Sequence, residues 1–257
     1  MVNTKSEREI NLMRQAGWIV AKTLEVVGPH IKPGVSTFEL DRICEETIRS
    51  HGATPSFLNY QGFPGSVCAS VNEVLVHGIP NKKTILKEGD IITIDVGANY
   101  KGYHGDGAWT FAVGNISDEA KNLMQVTKDS LYEGLKHVKA GTYLGNVSYA
   151  IGSYIKQFGY SIPMDYTGHG IGKNLHEDPA VFNDGQPNKG ILLKEGMTIC
   201  IEPMVHLGKP FTKVLSDDWT VISKDKSLTA HYEHTIVVTK DGCEILTTLT
   251  PQEGFNG

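Results

Sequence analysis

Residues 86–95 read LKEGDIITID, and residues 193–202 read LKEGMTICIE. The two stretches share their first four residues, and each ends on an acidic side chain, at an offset of 107 positions (193 − 86). The same offset relates two further pairs, namely residues 30–34 (HIKPG) with 137–141 (HVKAG), and Gly52 with Gly159. Three segments at one offset predict an old duplication. We therefore expect a single domain (1–257) built from two similar halves, roughly 1–113 and 114–250.

Each half is predicted to contain the same elements, a pair of helices followed by strands. Apolar residues at helical spacing predict helices over 9–27 and 38–50, and again over 118–138 and 144–157. The strand-rich segments are residues 91–99, 103–113, 197–205, 232–239 and 244–248, with a tight turn at Asp241-Gly242 between the last two. Paired helices packed on a mostly antiparallel sheet define an α+β fold class.

The composition is that of an ordinary globular protein. Of 257 residues, 40% are hydrophobic and 21% are charged, and the net charge is −5. This mild acidity predicts no specificity for nucleic acid and no attraction to an anionic membrane, and the apolar stretches are too short to span a bilayer. The four cysteines form no C-x-x-C pair. Because the N-terminus also lacks a signal-like apolar block, we expect a cytoplasmic protein with free thiols.

An acidic residue closes each of the two repeated strands. Asp95 and Glu202 each follow four residues of an otherwise apolar segment, where an ionised carboxylate is costly to bury unless it is paired or holds a metal. If residues 99–102 form the turn, a symmetric hairpin places Asp95 directly opposite Asp106, with Cβ atoms about 5 Å apart. Two like charges in that position require a shared proton or a cation between them.

The second half offers a matching pair of acids and a nitrogen ligand. Glu233 lies in the strand-like segment that follows Glu202, after a long loop that contains Trp219. One dicarboxylate from each half predicts a two-metal site, with the ions about 3.5–4 Å apart. His169 lies in a glycine-rich segment that lets the backbone approach closely, so it is the expected nitrogen ligand. Such an oxygen-rich set favours manganese, iron, cobalt or zinc.

Each of these residues also has an ordinary structural explanation. A strand carboxylate can pair with a lysine, Asp106 can be a turn residue before Gly107, and His169 can be a buried core histidine. Those explanations leave the repeated placement of the acids and the hairpin register unexplained. A metal site is therefore the preferred hypothesis.

Five motifs together resemble those of the type I methionine aminopeptidases, namely NEVLVHGIP at 72–80, Asp95 with HGD at 104–106, GHGIG at 168–172, IEP at 201–203 and YEHT at 232–235. The resemblance covers nearly the whole chain and implies the pseudosymmetric pita-bread fold, in agreement with the duplication. The interval between Glu202 and Glu233 leaves no room for the helical insertion of the type II enzymes. No cysteine- and histidine-rich N-terminal extension is present, so a bacterial-type enzyme is expected.

The resemblance implies two divalent ions, bound by Asp95, Asp106, His169, Glu202 and Glu233. A water or hydroxide bridging these ions would attack the first peptide bond of the substrate, and Glu202 would take and relay the proton. His176 would hydrogen-bond the scissile carbonyl, and His77 would position the substrate and assist the leaving amide. Ordinary explanations exist for both histidines, because His176 precedes two acids in a loop and His77 can cap a turn.

The resemblance also implies the substrate and its pocket. The positions that match the methionine pocket are Tyr60, Phe63, Cys68 and Trp219, with His77 and His176 beside them. A structural monovalent cation is implied at Asn72, Val74 and the position of Thr229. The implied substrates are nascent polypeptide N-termini with a small second residue, with the ribosome as a candidate partner and a monomer as the expected state. The chain itself begins Met1-Val2, which predicts that it can process its own N-terminus.

Three rival hypotheses remain. A proline-specific peptidase of the same fold would share the five ligands, but generally carries an extra N-terminal domain for which Asp95 comes too early. A non-catalytic module of the same fold would bind peptides, but such modules usually lose ligands. A metal-dependent hydrolase of other substrates would have no evident use for Cys68 and Trp219.

Overall fold

The structure is a computed structural model that describes residues 3–250 and the two-residue strand at 255–256. The dipeptide Met1-Val2, on which the expected self-processing depends, lies outside the described residues. None of the helices in the described part of the chain combines the length and the apolar character needed to cross a bilayer.

The described residues contain two consecutive pairs of helices, which are α1 (Glu7–Val27), α2 (Thr37–Ser50), α3 (Asp118–Leu135) and α4 (Leu144–Lys156). Two short 3-10 helices lie in the first half, at Gly28–His30 directly after α1 and at Tyr60–Gly62 after α2. At the start of α2, Ser36 N–H donates to Glu39 Oε2 at 2.9 Å, and Glu39 N–H donates to Ser36 Oγ at 3.2 Å. This reciprocal capping box satisfies two N–H groups that the helix itself leaves unpaired.

The strands of the first half are β1 (Thr54–Pro55), β2 (Cys68–Val71), β3 (Val74–Val76), β4 (Ile91–Tyr100) and β5 (Tyr103–Ala112). Those of the second half are β6 (Gly168–Gly170), β7 (Glu177–Val181), β8 (Thr198–Ile201), β9 (Met204–His206), β10 (Thr212–Val214), β11 (Val221–Ser223), β12 (Thr229–His231), β13 (His234–Val238), β14 (Gly242–Ile245) and β15 (Phe255–Asn256). All of the pairings between them are antiparallel.

Each half places its helices on its own sheet. In the first half, β4 pairs with β1, β2 and β5, and Leu40 and Ile48 of α2 share an apolar cluster with Ile92 and Ile94 of β4. In the second half, the strand order is β15-β14-β13-β8-β6-β7, and residues of α3 and α4 cluster with Ile199 and Ile236. Two smaller sheets, β10-β11-β3 and β12-β9, complete the α+β fold that the sequence predicts.

The repeat in the sequence is also a repeat in backbone hydrogen bonds. Gly34 N–H donates to Leu86 O at 2.8 Å, and at the same offset Gly141 N–H donates to Leu193 O at 2.9 Å. Both glycines have positive φ, of 90° and 86°, a conformation that favours glycine. The isolated bridges follow the same offset, as Ser36–Ile85 and Tyr143–Leu192.

The hairpin of β4 and β5 has a different register from the one predicted. Asp95 is opposite Ala108, two residues beyond Asp106. The turn is centred on Lys101 and Gly102, one residue later than expected, because both adopt the positive φ that a two-residue type I′ turn requires (50° and 87°). Asp95 and Asp106 therefore share a face, as predicted, but they are diagonal neighbours rather than directly opposite.

The last hairpin turn is also displaced by one residue from the prediction. Thr239 N–H donates to Gly242 O at 2.9 Å, and Gly242 N–H donates back to Thr239 Oγ1 at 3.1 Å. These bonds close the turn around residues 240–241 rather than at Asp241-Gly242. The threonine hydroxyl supplies an acceptor that the dipeptide pattern does not reveal.

Both glutamates lie in two-residue gaps between strands. Glu202-Pro203 divides the predicted strand 197–205 into β8 and β9, and the predicted strand 232–239 begins only at His234, so residues 232–233 separate β12 from β13. Pro203 has no N–H for a strand ladder, and Glu233 N–H donates to Ala108 O at 2.9 Å, across to the other half. At both breaks the chain moves from one sheet to another.

Strand β5 joins the two halves through threonine side chains. Thr235 Oγ1 donates to Asp106 O at 2.7 Å and accepts from Asp106 N–H at 2.9 Å. Likewise Thr110 Oγ1 donates to His231 O at 2.8 Å and accepts from His231 N–H at 3.0 Å. These reciprocal bonds hold the acids of the first half against those of the second.

Candidate functional site

Five side chains from five segments converge on one cavity of about 330 Å³. They are the predicted metal-binding residues Asp95 in β4, Asp106 in β5, His169 in β6, Glu202 directly after β8, and Glu233 directly before β13. Asp106, Glu202 and Glu233 are buried. The structure thus brings the whole predicted set together at the junction of the two halves.

The imidazole of His169 faces the carboxylates. Its Nε2 lies 3.5 Å from Glu202 Oε1 and 3.8 Å from Asp106 Oδ2. Its Nδ1 lies 2.9 Å from Gly170 O, and because a carbonyl only accepts, Nδ1 must carry the hydrogen. The lone pair of Nε2 is therefore directed at the acids, as a metal ligand requires. Burial lowers the pKa of His169 to about 3, which keeps the ring neutral.

The carboxyl groups oppose one another's ionisation. Burial raises the pKa of Asp106 well above its usual value, and the charges of Glu233, Asp95 and Glu202 raise it further. The pKa of Glu233 is raised by burial and then by Glu202 and Asp95. The pKa of Glu202 is raised by burial and by Asp95. Burial raises the pKa of Asp95 to about 6, although His231 and a hydrogen bond with Asp106 lower it.

The donor set fits divalent cations. Asp95 Oδ1, Asp106 Oδ1 and Glu233 Oε1 are buried and have no hydrogen-bond partner among the residues that the structure describes. Buried carboxylate oxygens without partners are rare, and a bound cation is one of the few environments that satisfies them. One imidazole and several carboxylates are ligands that manganese, iron, cobalt and zinc accept.

Two residues of this cluster were missed by the sequence reasoning. The Sγ atom of Cys200 lies within 4.8 Å of donor atoms of Asp106, His169 and Glu233, but burial raises the pKa of the thiol well above its usual value, so it is not a thiolate. His231 is buried beside Glu233. Both residues stand two positions before a glutamate, and strand alternation, which puts i and i+2 on one face, could have found them.

The predicted pocket residues form an apolar wall on one side of the same cavity. The wall consists of Phe63, Cys68 and Trp219. The rings of Phe63 and Trp219 meet edge to face at 5.1 Å between centroids. Burial raises the pKa of Cys68 well above the usual thiol value, so this residue behaves as an apolar surface rather than as a nucleophile.

Two predicted catalytic histidines line the cavity beside this wall. Tyr60 Oη and His176 Nδ1 are 2.9 Å apart, and the rings of His176 and His169 are 4.3 Å apart between centroids. His77 has a φ of 57°, a conformation that costs energy for a residue with a Cβ, and its ring meets Trp219 edge to face at 6.0 Å. Burial lowers the pKa of both, that of His77 to about 4.

The three residues implied for a monovalent cation also meet. Thr229 Oγ1 lies 2.9 Å from Asn72 O and 2.8 Å from Val74 O, and Thr229 N–H donates to Asn72 O at 2.9 Å. Two backbone oxygen atoms from residues 72–74 and the hydroxyl oxygen of Thr229 are therefore close together.

The chain belongs to metallopeptidase family M24, whose model matches residues 11–240. Within that class, it is 53% identical to methionine aminopeptidase 1 of Bacillus subtilis, over 96% of this chain and 99% of that protein. The crystal structure of methionine aminopeptidase from Rickettsia prowazekii matches with a TM-score of 0.95 and 45% identity, covering 96% of this chain and all of that one. These matches confirm the resemblance that the motifs indicate and the pita-bread fold that it implies.

A more distant match shows the contrast with the proline peptidases. The prolidase from Pyrococcus horikoshii matches with a TM-score of 0.78 and 25% identity, over 97% of this chain but only 64% of that one. The rival therefore shares the fold, and more than a third of its length has no counterpart here.

Proposed function

We propose that this chain is a metal-dependent aminopeptidase that removes the N-terminal methionine from peptides and nascent proteins with a small second residue. One observation carries the proposal, namely that the five donor side chains and the apolar wall line the same cavity, where Cys68 of the wall is the cross-strand neighbour of Asp95. A thioether side chain lying against the aromatic edges of Phe63 and Trp219 is a favourable contact, and its peptide bond would then lie at the donors. The relatives named methionine aminopeptidase, matched over nearly their full length, support the same reaction.

The roles of individual residues belong to this proposal. Asp95, Asp106, His169, Glu202 and Glu233 would hold two divalent ions. When bound, such ions polarise the substrate carbonyl and supply a nucleophilic water near neutral pH. The carboxylate of Glu202 would take a proton from the attacking water and pass it to the leaving amine.

The two pocket histidines would act on the substrate itself. If the Tyr60 hydroxyl donates to His176 Nδ1, the ring carries its hydrogen on Nε2. That hydrogen would bond the scissile carbonyl oxygen as negative charge develops on it. His77, which lines the cavity and has a positive φ, would position the substrate amide.

Finer parts of the sequence prediction are proposed with it. A monovalent cation at Asn72, Val74 and Thr229 would have a structural role, since it would tie β3 to β12. The four cysteines are free and buried, which suits the reducing cytoplasm. The proposal also includes a monomer that acts on chains emerging from the ribosome. Cobalt, manganese, iron and zinc all remain candidates for the divalent ions.

Release of methionine from short peptides tests the proposal. Met-Ala-Ser, Met-Lys-Ser and Ala-Pro-Ala would each be incubated with metal-stripped protein, alone and after addition of Mn²⁺ or Co²⁺. Metal-dependent release from Met-Ala-Ser alone is the expected result, because it requires the pocket and the small second residue together. Cleavage of Ala-Pro-Ala instead would assign a proline peptidase, and no cleavage with metal bound would favour a binding module.

A further inference from the structure

His231 is a buried histidine whose ring has no conventional partner. Its side chain is about 1% exposed, and neither ring nitrogen has a hydrogen-bond partner among the residues described. A buried imidazole without a partner carries a large desolvation cost. The sequence motifs assign no role to this residue, and the ordinary explanation as a satisfied core histidine does not apply.

The ring is directed at the acids of the metal cluster. Nε2 of His231 lies 3.4 Å from Glu202 Oε2 and 4.0 Å from Glu233 Oε2. The first distance is beyond the usual range of an N–H···O bond, about 2.7–3.2 Å. Two ligands that share one ion at about 2.1 Å, at a tetrahedral angle, stand about 3.4 Å apart. The spacing therefore suits a shared cation better than a hydrogen bond.

The arrangement repeats that of the histidine already described. Glu202 presents Oε1 to His169 Nε2 at 3.5 Å and Oε2 to His231 Nε2 at 3.4 Å. The carboxylate thus lies between two imidazoles at nearly equal distances. Donor atoms of Glu202, His231 and Glu233 all lie within 4.8 Å of one another.

The backbone that carries this ring is held in place before any ion binds. His231 ends β12, where it pairs with Met204 of β9, and both its N–H and its C=O bond to the hydroxyl of Thr110. Donors held in this way on rigid strands need little reorganisation when a ligand binds.

We propose that His231 is a sixth protein donor of this centre, which binds a divalent ion through Nε2 together with Glu202 Oε2 and Glu233 Oε2. The inference rests on the proposed function, because it assumes that the acid cluster holds divalent ions. It gives the centre a second nitrogen ligand, where the motif-based set offers only His169.

Direct metal binding tests the assignment. Metal-stripped wild type and His231→Gln would be titrated with Mn²⁺ by isothermal calorimetry. We expect two binding events in the wild type and a loss of about tenfold or more in the affinity of one of them in the variant. His206→Gln is the matched control, because His206 is equally buried and has an unpartnered Nε2, but bonds Lys209 O through Nδ1. Its Mn²⁺ affinities should match those of the wild type.

A second measurement needs no variant. In the proton NMR spectrum of the Co²⁺-loaded wild type, each coordinated imidazole contributes one paramagnetically shifted, exchangeable N–H resonance. Two such resonances are expected, and a single one would overturn the proposal even if His231→Gln failed to fold. Unchanged Mn²⁺ affinities in a folded His231→Gln variant would overturn it as well. Absence of Mn²⁺ binding by the wild type would instead refute the proposed metal centre as a whole.

Discussion

At the scale of single residues, the cluster of buried carboxyl groups connects stability with function. Asp106 is buried against three other acids, each of which raises its pKa. In the absence of a cation, part of this repulsion must be relieved by protonation, which is costly near neutral pH. Once cations are bound, their attraction for the carboxylates outweighs the repulsion between them, since every carboxylate is then a ligand. Removal of one acid should therefore act in opposite directions on the metal-free and metal-bound protein.

Asp106→Asn tests this reversal. We expect the variant to lose at least about 100-fold in kcat/KM, because a ligand is lost from the centre of the set. Without metal, its free energy of unfolding should equal or exceed that of the wild type. Thermal unfolding with and without Mn²⁺ checks this, because the stabilisation by a bound ion grows with its affinity. Full turnover with unchanged metal content would contradict the ligand assignment.

Variants of His176 and Tyr60 should lower kcat to different extents. His176→Ala should lower kcat by about 10²–10³, as expected for a donor to a developing oxyanion. Tyr60→Phe removes only the hydroxyl that lies 2.9 Å from His176 Nδ1, so we expect a loss of about 3–10-fold in kcat, the size of one hydrogen bond. Steady-state kinetics on Met-Ala-Ser would separate kcat from KM. If both variants changed only KM, the histidine would merely help to hold the substrate.

At the scale of secondary-structure elements, the sequence predicts the regular parts and misses the irregular ones. Helices α1 to α4 follow from apolar spacing and caps, because both are local properties of the chain. The breaks at Glu202-Pro203 and before His234 depend on pairing with strands from other parts of the sequence, which no local pattern encodes. The predicted register of β4 and β5 is wrong because the turn lies one residue later than expected, and the position of the turn depends on the positive φ of Lys101.

The same limit applies to the candidate site. The acids were predicted because they interrupt apolar strands, and an ionised group in such a place needs an explanation. Their convergence with His169 was inferred from the repeat and from the family motifs rather than from any single strand. His231 was missed, because its position two residues before Glu233 indicates only a shared face, and the structure is needed to show that its ring has no partner.

The contact between α1 and β5 should give the fold a characteristic acid dependence. Tyr103 Oη donates to Glu9 Oε1 at 2.7 Å, and this bond, followed by those from Ser6, lowers the pKa of Glu9 from 4.5 to about 2. Because the pKa is lower in the folded state, the stabilisation is present above pH 4.5 and disappears as the pH falls through 2.

Tyr103→Phe should therefore destabilise the protein at neutral pH by no more than about 1 kcal/mol, since Glu9 is only partly buried and solvent screens its interactions. The difference in unfolding free energy from the wild type should shrink between pH 5 and pH 2. Urea unfolding at several pH values measures this difference. Tyr149→Phe, an exposed tyrosine on α4, is the control and should show no such dependence. A difference that stays constant with pH would refute the link to Glu9.

At the scale of the whole molecule, the candidate site is the place where the two halves are joined. Each half has its own pair of helices and its own main sheet, and each of the two largest apolar clusters comes mostly from one half. Asp95 and Asp106 come from one half and His169, Glu202 and Glu233 from the other, so bound ions would be ligated from both sides. Metal binding and the association of the halves should therefore be coupled.

Thr235→Val tests that coupling without removing any proposed ligand. Thr235 is fully buried and both donates to and accepts from the backbone of Asp106, at 2.7 and 2.9 Å. Valine has nearly the same shape but leaves the N–H and C=O of Asp106 without partners, at a cost of about 2–3 kcal/mol in unfolding free energy. Because the backbone that carries Asp106 is then less well held, Mn²⁺ affinity should fall as well.

The matched control is Thr127→Val, a buried threonine whose hydroxyl bonds only within its own helix, to Leu123 O at 2.7 Å. It should cost less than about 1 kcal/mol and leave Mn²⁺ affinity unchanged. Urea unfolding and Mn²⁺ calorimetry on both variants measure the two quantities separately. If Thr235→Val lowered stability without any change in Mn²⁺ affinity, the hydrogen bonds between Thr235 and Asp106 would hold the halves together independently of the metal centre. A parallel loss of both would show that one set of hydrogen bonds serves the fold and the site at once.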